Sequence, residues 1–133
     1  MSLFTPTSFT SLSVATPILG NTPARQAVAL NLPATLSAGR ILRSVNQIKA
    51  PGGGAALTLC DFADLLAVYP GWEVGDAIEV ILSEGNNNNV TAILAGAGTT
   101  VYGGGTNPIL NSRGGRIALV RTGANSMDAY VCA

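Results

Sequence analysis

The sequence DFADLLAVYPGWEVGDAIEVILS, residues 61–83, decides most of the predicted fold. Its first half carries one apolar stripe at helical spacing, formed by Phe62, Leu65, Leu66 and Tyr69. Asp61 occupies the N-cap position, and Asp64 three residues later resembles the second member of a capping box. Pro70-Gly71 cannot continue the helix. The stretch therefore predicts one short helix over residues 61–69.

A strand follows in the second half of this stretch, over residues 76–84. Ile78, Val80 and Leu82 lie on one side of it, which we expect to face the core. Similar short runs occur at residues 27–33, 39–48, 55–59, 90–94, 99–102, 116–121 and 128–132. About eight short strands with one helix indicate an all-β domain. The pattern fits jelly-roll, immunoglobulin-like and barrel topologies, and we predict a jelly-roll-like antiparallel β-sandwich in which 90–94 pairs with 76–84.

The composition of the chain favours assembly over a free monomer. The 133 residues fit one domain, and charged residues make up only 11% of them, against about 25% in an average soluble domain. Charges normally keep monomers apart, so a weakly charged surface is typical of one that partners cover. A monomer with a Ser, Thr, Asn and Gly surface is the alternative. With zero net charge and scattered basic residues, we expect no nucleic-acid partner.

The charged residues are arranged in blocks along the chain. Six of the seven acidic residues lie between Asp61 and Glu84, where no basic residue occurs. Basic residues precede and follow this block. The blocks pair either within one folded chain or between neighbouring subunits, where they would set orientation. The sequence leaves both arrangements open.

Residues 1–24 are predicted to form an extended N-terminal arm ahead of a β-sandwich domain over residues 25–133. The segment contains no charged side chain and is rich in Ser, Thr and Pro. Its bulky apolar residues, which are unfavourable in water, are the expected assembly contacts: Phe4, Phe9, Leu12, Val14, Ile18 and Leu19. The arm lies on its own domain or on a neighbour, or it forms the first strands of the sandwich. We expect no signal peptide and no membrane association.

The residues that most enzymes use for acid–base and nucleophilic chemistry are missing from this sequence. It has no histidine, which removes Ser-His-Asp and Cys-His systems and histidine-based zinc sites. Helix capping accounts for Asp61 and Asp64 better than a paired-carboxylate site does. Glu73, Asp76 and Glu79 lack the Asp/Asn-Gly alternation of a calcium loop. We therefore predict that the protein is not an enzyme and uses no cofactor or metal.

Cysteines and aromatic residues offer two further features. Cys60 and Cys132 stand in apolar, strand-like runs, and we expect both to be buried free thiols rather than a disulfide. Trp72 and Tyr102, if exposed, would form a ligand surface on which a sugar ring can stack. A single tryptophan beside a turn is more often a core residue, and both interpretations stay open here.

The chain from Thr58 to the C-terminus resembles a repeat-type β-domain of structural proteins from large DNA viruses and tailed phages. The matching motifs are LLAVYPGWEVGDAIEVIL (65–82), VTAILAGAGTTVYGGG (90–105), RIALVRTG (116–123) and DAYVCA (128–133). The departures from the family are Tyr69 and Trp72, where smaller residues are usual, and the two cysteines, Cys60 and Cys132. The first 57 residues match weakly, mainly in GRILRSVNQ.

This resemblance implies a virion structural protein on the capsid surface. Such a protein would be a decoration (cement) or minor capsid protein that binds the capsid lattice and stabilises the shell. The implied partners are the major capsid protein and further copies of the chain, as a homotrimer. The alternative on the same fold is a receptor- or glycan-binding fibre head, with Trp72 and Tyr102 as its surface.

Overall fold

The structure is a computed structural model and describes residues 26–85, 88–110 and 113–132. The six apolar arm residues, Phe4, Phe9, Leu12, Val14, Ile18 and Leu19, lie outside the described residues. The arm and the boundary at residue 25 therefore stay predictions.

Nine strands and two short helices follow one another along the described residues. In chain order they are β1 (Gln26–Asn31), β2 (Ala34–Leu36), α1 (Ala38–Arg43), β3 (Ser44–Lys49), β4 (Ala55–Leu59), α2 (Phe62–Val68), β5 (Ala77–Glu84), β6 (Val90–Leu94), β7 (Thr99–Tyr102), β8 (Gly114–Arg121) and β9 (Met127–Cys132). The six-stranded sheet has the order β1-β3-β5-β8-β9-β7, and the three-stranded sheet has the order β2-β4-β6. The chain thus alternates between the two sheets from β1 to β6.

Parallel pairing dominates the described sheets. β1, β3 and β5 run parallel in the larger sheet, and β2, β4 and β6 run parallel in the smaller one. β8 pairs antiparallel with both β5 and β9, while β7 joins β9 in parallel. Parallel neighbours need a long connection between them. In the parallel pairs formed by β1 to β6, that connection contains a strand of the other sheet together with α1 or α2, whereas β7 and β9 are connected through β8 of their own sheet.

The two sheets and the two helices share one hydrophobic core. The buried cluster contains side chains from nearly every element, among them Leu36, Ile41, Ile48, Leu57, Leu59, Leu65, Ile78, Val80, Leu82, Ile93, Ile117, Leu119 and Met127. Burying each large side chain contributes about 1.5–3 kcal/mol. The predicted core face of the strand at 76–84 is confirmed, because Ile78, Val80 and Leu82 are all buried.

The prediction of a predominantly β fold is confirmed, but the antiparallel pairing is wrong. Five of the seven strand pairs among the described strands are parallel. Short strands at regular spacing do not encode the direction of pairing, since either direction satisfies the same alternation of side chains. The chain also contains a second helix, α1, that the sequence did not indicate.

The run at 39–48 is a helix followed by a strand rather than one continuous strand. The carbonyl oxygen of Ser37 accepts hydrogen bonds from the N–H groups of Arg40 (3.1 Å) and Ile41 (3.2 Å), which starts α1. This turn of helix buries Ile41 completely. A continuous strand over residues 39–48 would have had no cleanly apolar face. The helix in the first half of this run instead buries an apolar side chain in the core.

The strand at 90–94 exists, but its predicted partner is wrong. β6 pairs with β4 of the smaller sheet and not with β5. Just before β6, the side-chain amide of Asn88 donates to the carbonyl of Ala50 at 3.0 Å. β5 and β6 therefore belong to different sheets and do not form the predicted hairpin.

Helix α2 forms where the sequence predicts it, within one residue at each end. Asp61 is the N-cap residue, but its side chain makes no capping hydrogen bond. Its Oδ1 instead accepts a hydrogen bond from the N–H of Ala97 at 2.8 Å. The N–H of Phe62 donates to the carbonyl of Ala97 at 2.9 Å. The predicted capping box is therefore wrong, and Asp61 joins the start of α2 to the loop after β6.

Candidate interaction surface

The outer face of the six-stranded sheet, the side opposite its core face, is the candidate interaction surface. Strand alternation places the buried residues of β5, β8 and β9 inward, so their neighbours lie outward. One row of outward residues crosses the sheet as Tyr102, Tyr130, Ala118 and Glu79. The next row is Cys132, Arg116, Ile81 and Val45. All eight are at least partly accessible to solvent.

Two tyrosines form an aromatic pair at one end of this outer face. Tyr102 on β7 and Tyr130 on β9 are register neighbours, and their ring centroids lie 5.2 Å apart with 12° between the planes. The two side chains are 48% and 42% exposed. The hydroxyl of Tyr130 donates to Oδ2 of Asp128 at 3.2 Å, and this hydrogen bond raises the pKa of Tyr130. The pair presents flat apolar rings with a polar rim, as many protein and ligand interfaces do.

One ion pair stands beside the tyrosines. Arg116 Nη1 lies 3.3 Å from Glu79 Oε2, and both side chains are more than half exposed. An exposed pair of this kind contributes about 0.2–1 kcal/mol to stability, so its main effect is to neutralise the surface. This contact also shows that the acidic and basic blocks pair at one point within the chain, because Glu79 belongs to the acidic block and Arg116 to the following basic block.

Trp72 is fully buried, so its predicted place on an exposed ligand surface is wrong. Its indole N–H donates to the carbonyl of Asp76 at 2.8 Å, and its ring lies 5.8 Å from that of Phe62. Arg121 Nη1 donates to the carbonyl of Trp72, and the Arg121 guanidinium lies over the Phe62 ring at 5.5 Å. The alternative interpretation of Trp72 as a core residue is confirmed. Tyr102 does lie at the surface, but its aromatic partner is Tyr130.

The two cysteines are free, as predicted, but they lie in different environments. Cys60 is buried, whereas Cys132 is exposed on the outer face, so the predicted burial of Cys132 is wrong. Burial, followed by the charge of Asp64, raises the pKa of the Cys60 thiol to about 11. The Cys60 thiol is therefore protonated at neutral pH and is a poor nucleophile.

An open cleft of about 640 Å³ lies at the carboxyl ends of the three parallel strands β2, β4 and β6. Its polar walls come from five side chains: Thr35, Ser37, Thr58, Asp61 and Asp64. Ligands often bind outside the carboxyl ends of parallel strands. Here one carboxylate oxygen of Asp61 already accepts from Ala97, and the thiol that lines the cleft stays protonated. Hydrogen bonding to a polar molecule is the chemistry that this cleft offers.

The described residues contain neither a clustered set of metal ligands nor a membrane-spanning helix. Within residues 26–85, 88–110 and 113–132, no group of three or more His, Cys, Asp and Glu side chains is placed to hold a metal ion. No helix in the part of the chain that the structure describes has the length and hydropathy needed to cross a membrane.

No protein-family model, curated protein or solved structure matches this chain. The resemblance to viral β-domains therefore stays a prediction that rests on the sequence motifs.

Sequence reasoning found Tyr102 but missed its partner Tyr130 and the polar contact from Asp128. The segment DAYVC carried a usable signal, because its alternation places Asp128, Tyr130 and Cys132 on the side opposite Ala129 and Val131. The pairing of β7 with β9 brings the tyrosines together. The sequence of either strand alone does not predict that pairing.

Proposed function

We propose that this chain is a non-enzymatic virion structural protein: a capsid decoration (cement) or minor capsid protein. The observation that carries the proposal is the outer face, a weakly charged surface with two exposed tyrosines and a self-neutralised ion pair. Such a surface suits contact with other proteins better than permanent exposure to water. The virion setting comes from the sequence motifs that resemble those of viral β-domains.

The proposed partners are the major capsid protein and further copies of the chain as a homotrimer. A closed symmetric oligomer buries the same surface on every copy. Contacts repeated over a shell stabilise it in proportion to the apolar area buried, although the entropy of association offsets part of the gain. The N-terminal arm would add its apolar residues to the lattice contact at the capsid surface.

The direct test is protein identification in purified particles. Virus particles are isolated on a density gradient from the culture whose DNA encodes the chain. They are then analysed by mass spectrometry. We expect the chain to co-migrate with the most abundant particle protein at a fixed ratio through successive gradients. A chain found only in the soluble fraction would contradict the proposal.

The second candidate function, a receptor- or glycan-binding fibre head, is favoured by the stacked Tyr102–Tyr130 pair beside Asp128. Aromatic rings stack on sugar rings, and a nearby carboxylate accepts hydrogen bonds from sugar hydroxyls. On a glycan array, Tyr102→Ala is expected to abolish binding of the wild-type ligand. Tyr69→Ala is the matched control, because Tyr69 is similarly exposed at the end of α2. An array without any wild-type signal would count against this second function.

A further inference from the structure

We infer that the outer face of the six-stranded sheet is the surface through which copies of this chain contact one another. This inference rests on the proposed assembly function and names the surface that self-association would use. Ala118 lies between Tyr130 and Glu79 on this face, and Ala118, Ile81 and Val45 are half-buried.

Charge complementarity identifies a second copy as the occupant. Arg116 and Glu79 balance each other, whereas Asp128 keeps its negative charge, because a hydrogen bond from the Tyr130 hydroxyl does not neutralise it. The face therefore presents both a cation, Arg116, and a carboxylate, Asp128, which can pair with each other across two copies. The Arg116 guanidinium has five N–H donors and uses one of them on Glu79, so it retains donors for a carboxylate of the next copy. A strongly charged partner such as a nucleic acid would find no matching field on this face.

The position of Cys132 provides a direct probe of the inferred contact. Its thiol is exposed and stands in register with Arg116 on the outer face, whereas Cys60 is buried in the core. If copies meet through this face, self-association covers Cys132 while the fold stays unchanged. Maleimide labelling followed by mass spectrometry then measures how fast Cys132 reacts in the full, unmutated chain, and so whether it is covered.

The experiment combines that labelling with the solution mass from light scattering. We expect a mass near 40 kDa, about three times the 13.4 kDa chain, at micromolar concentration. Labelling of Cys132 should be about tenfold slower where about a tenth of the chains are dissociated, because only dissociated chains react. Ala118→Arg, at the centre of the face, should return the mass to the monomer. Ala67→Arg on the exposed side of α2 is the matched control and should leave the oligomer intact.

Three outcomes would overturn the inference. One is a wild-type monomer, and another is an oligomer in which Cys132 reacts at the monomer rate. The third is a monomer that begins to associate once residues 1–24 are deleted, which would mean that the chain's own N-terminal segment covers the face. The labelling result holds even if Ala118→Arg fails to fold. A chain that forms the oligomer yet is absent from particles would contradict the proposed virion function alone. A particle-bound monomer would contradict this inference and the proposed homotrimer, and would leave the virion function standing.

Discussion

At the scale of single residues, Asn46 is the least expected feature of the core. It lies in β3 with no exposed surface, and neither its amide nitrogen nor its amide oxygen has a hydrogen-bond partner. Its register neighbours are Val28 and Leu82, so the amide lies among apolar side chains. A buried polar group without partners costs about 1–3 kcal/mol. We expect Asn46→Leu to raise the free energy of unfolding by a similar amount, as measured by urea denaturation.

The matched control for this prediction is Gln47→Leu, the adjacent and exposed position of the same strand. It changes an amide to the same apolar side chain but relieves no buried polar group, so its effect should lie within about 0.5 kcal/mol. A loss of stability in Asn46→Leu would contradict the prediction and indicate that the amide is satisfied in solution, for example by a buried water.

A second prediction at this scale concerns Cys60 and alkaline pH. The folded-state pKa is about 11 against an ordinary value of 9.0, so the unfolded chain ionises first. The contribution of Cys60 to the free energy of unfolding is therefore fully present below pH 9. It is lost as the pH rises from 9 towards 11, which lowers the stability by about 1–2 kcal/mol. The difference in unfolding free energy between wild type and Cys60→Ala should shrink over this range. Cys132→Ala, at the exposed thiol, should show no such convergence.

At the scale of elements, Asp61 links α2 to the loop after β6. Its carboxylate accepts the Ala97 N–H instead of capping its own helix. Removing that acceptor in Asp61→Ala should cost about 1 kcal/mol in urea unfolding, because the Ala97 N–H loses a charge-assisted partner. Asp61→Asn keeps an oxygen acceptor and should recover much of the loss. Asp64→Ala removes only a first-turn charge, and a larger loss there would show that helix electrostatics dominate instead.

The elements that the sequence predicted well are those whose side chains decide their own conformation. α2 follows from its apolar stripe and Pro70, and β5 follows from the alternation of Ile78, Val80 and Leu82. α1 and β2 were missed because short, weakly patterned segments take their conformation from the surrounding core. Ile41 illustrates this, since its helical setting is fixed by burial and not by a local motif.

At the scale of the whole molecule, strand pairing was the information that the sequence did not provide. β6 leaves β5 for the other sheet, and β7 reaches β9 in parallel, although both strands were correctly located. The pairing of β7 with β9 also creates the candidate surface, because it sets Tyr102 beside Tyr130. The sequence therefore identified Tyr102 as a candidate surface residue. Its contact with Tyr130 could be recognised only from the fold.

The last prediction concerns the predicted N-terminal arm, residues 1–24. The first described element begins at Gln26, and the described residues form a buried cluster of their own. Deleting residues 1–20 should therefore leave the urea midpoint nearly unchanged. In the proposed function the same deletion should weaken binding to capsids, because it removes Phe4, Phe9, Leu12, Val14, Ile18 and Leu19, whose apolar surface would be buried on the lattice. Co-sedimentation with purified capsids measures that binding. Undiminished binding by a folded, truncated chain would show that the arm is not a lattice contact, and would leave the sheet surfaces as the sole basis for assembly.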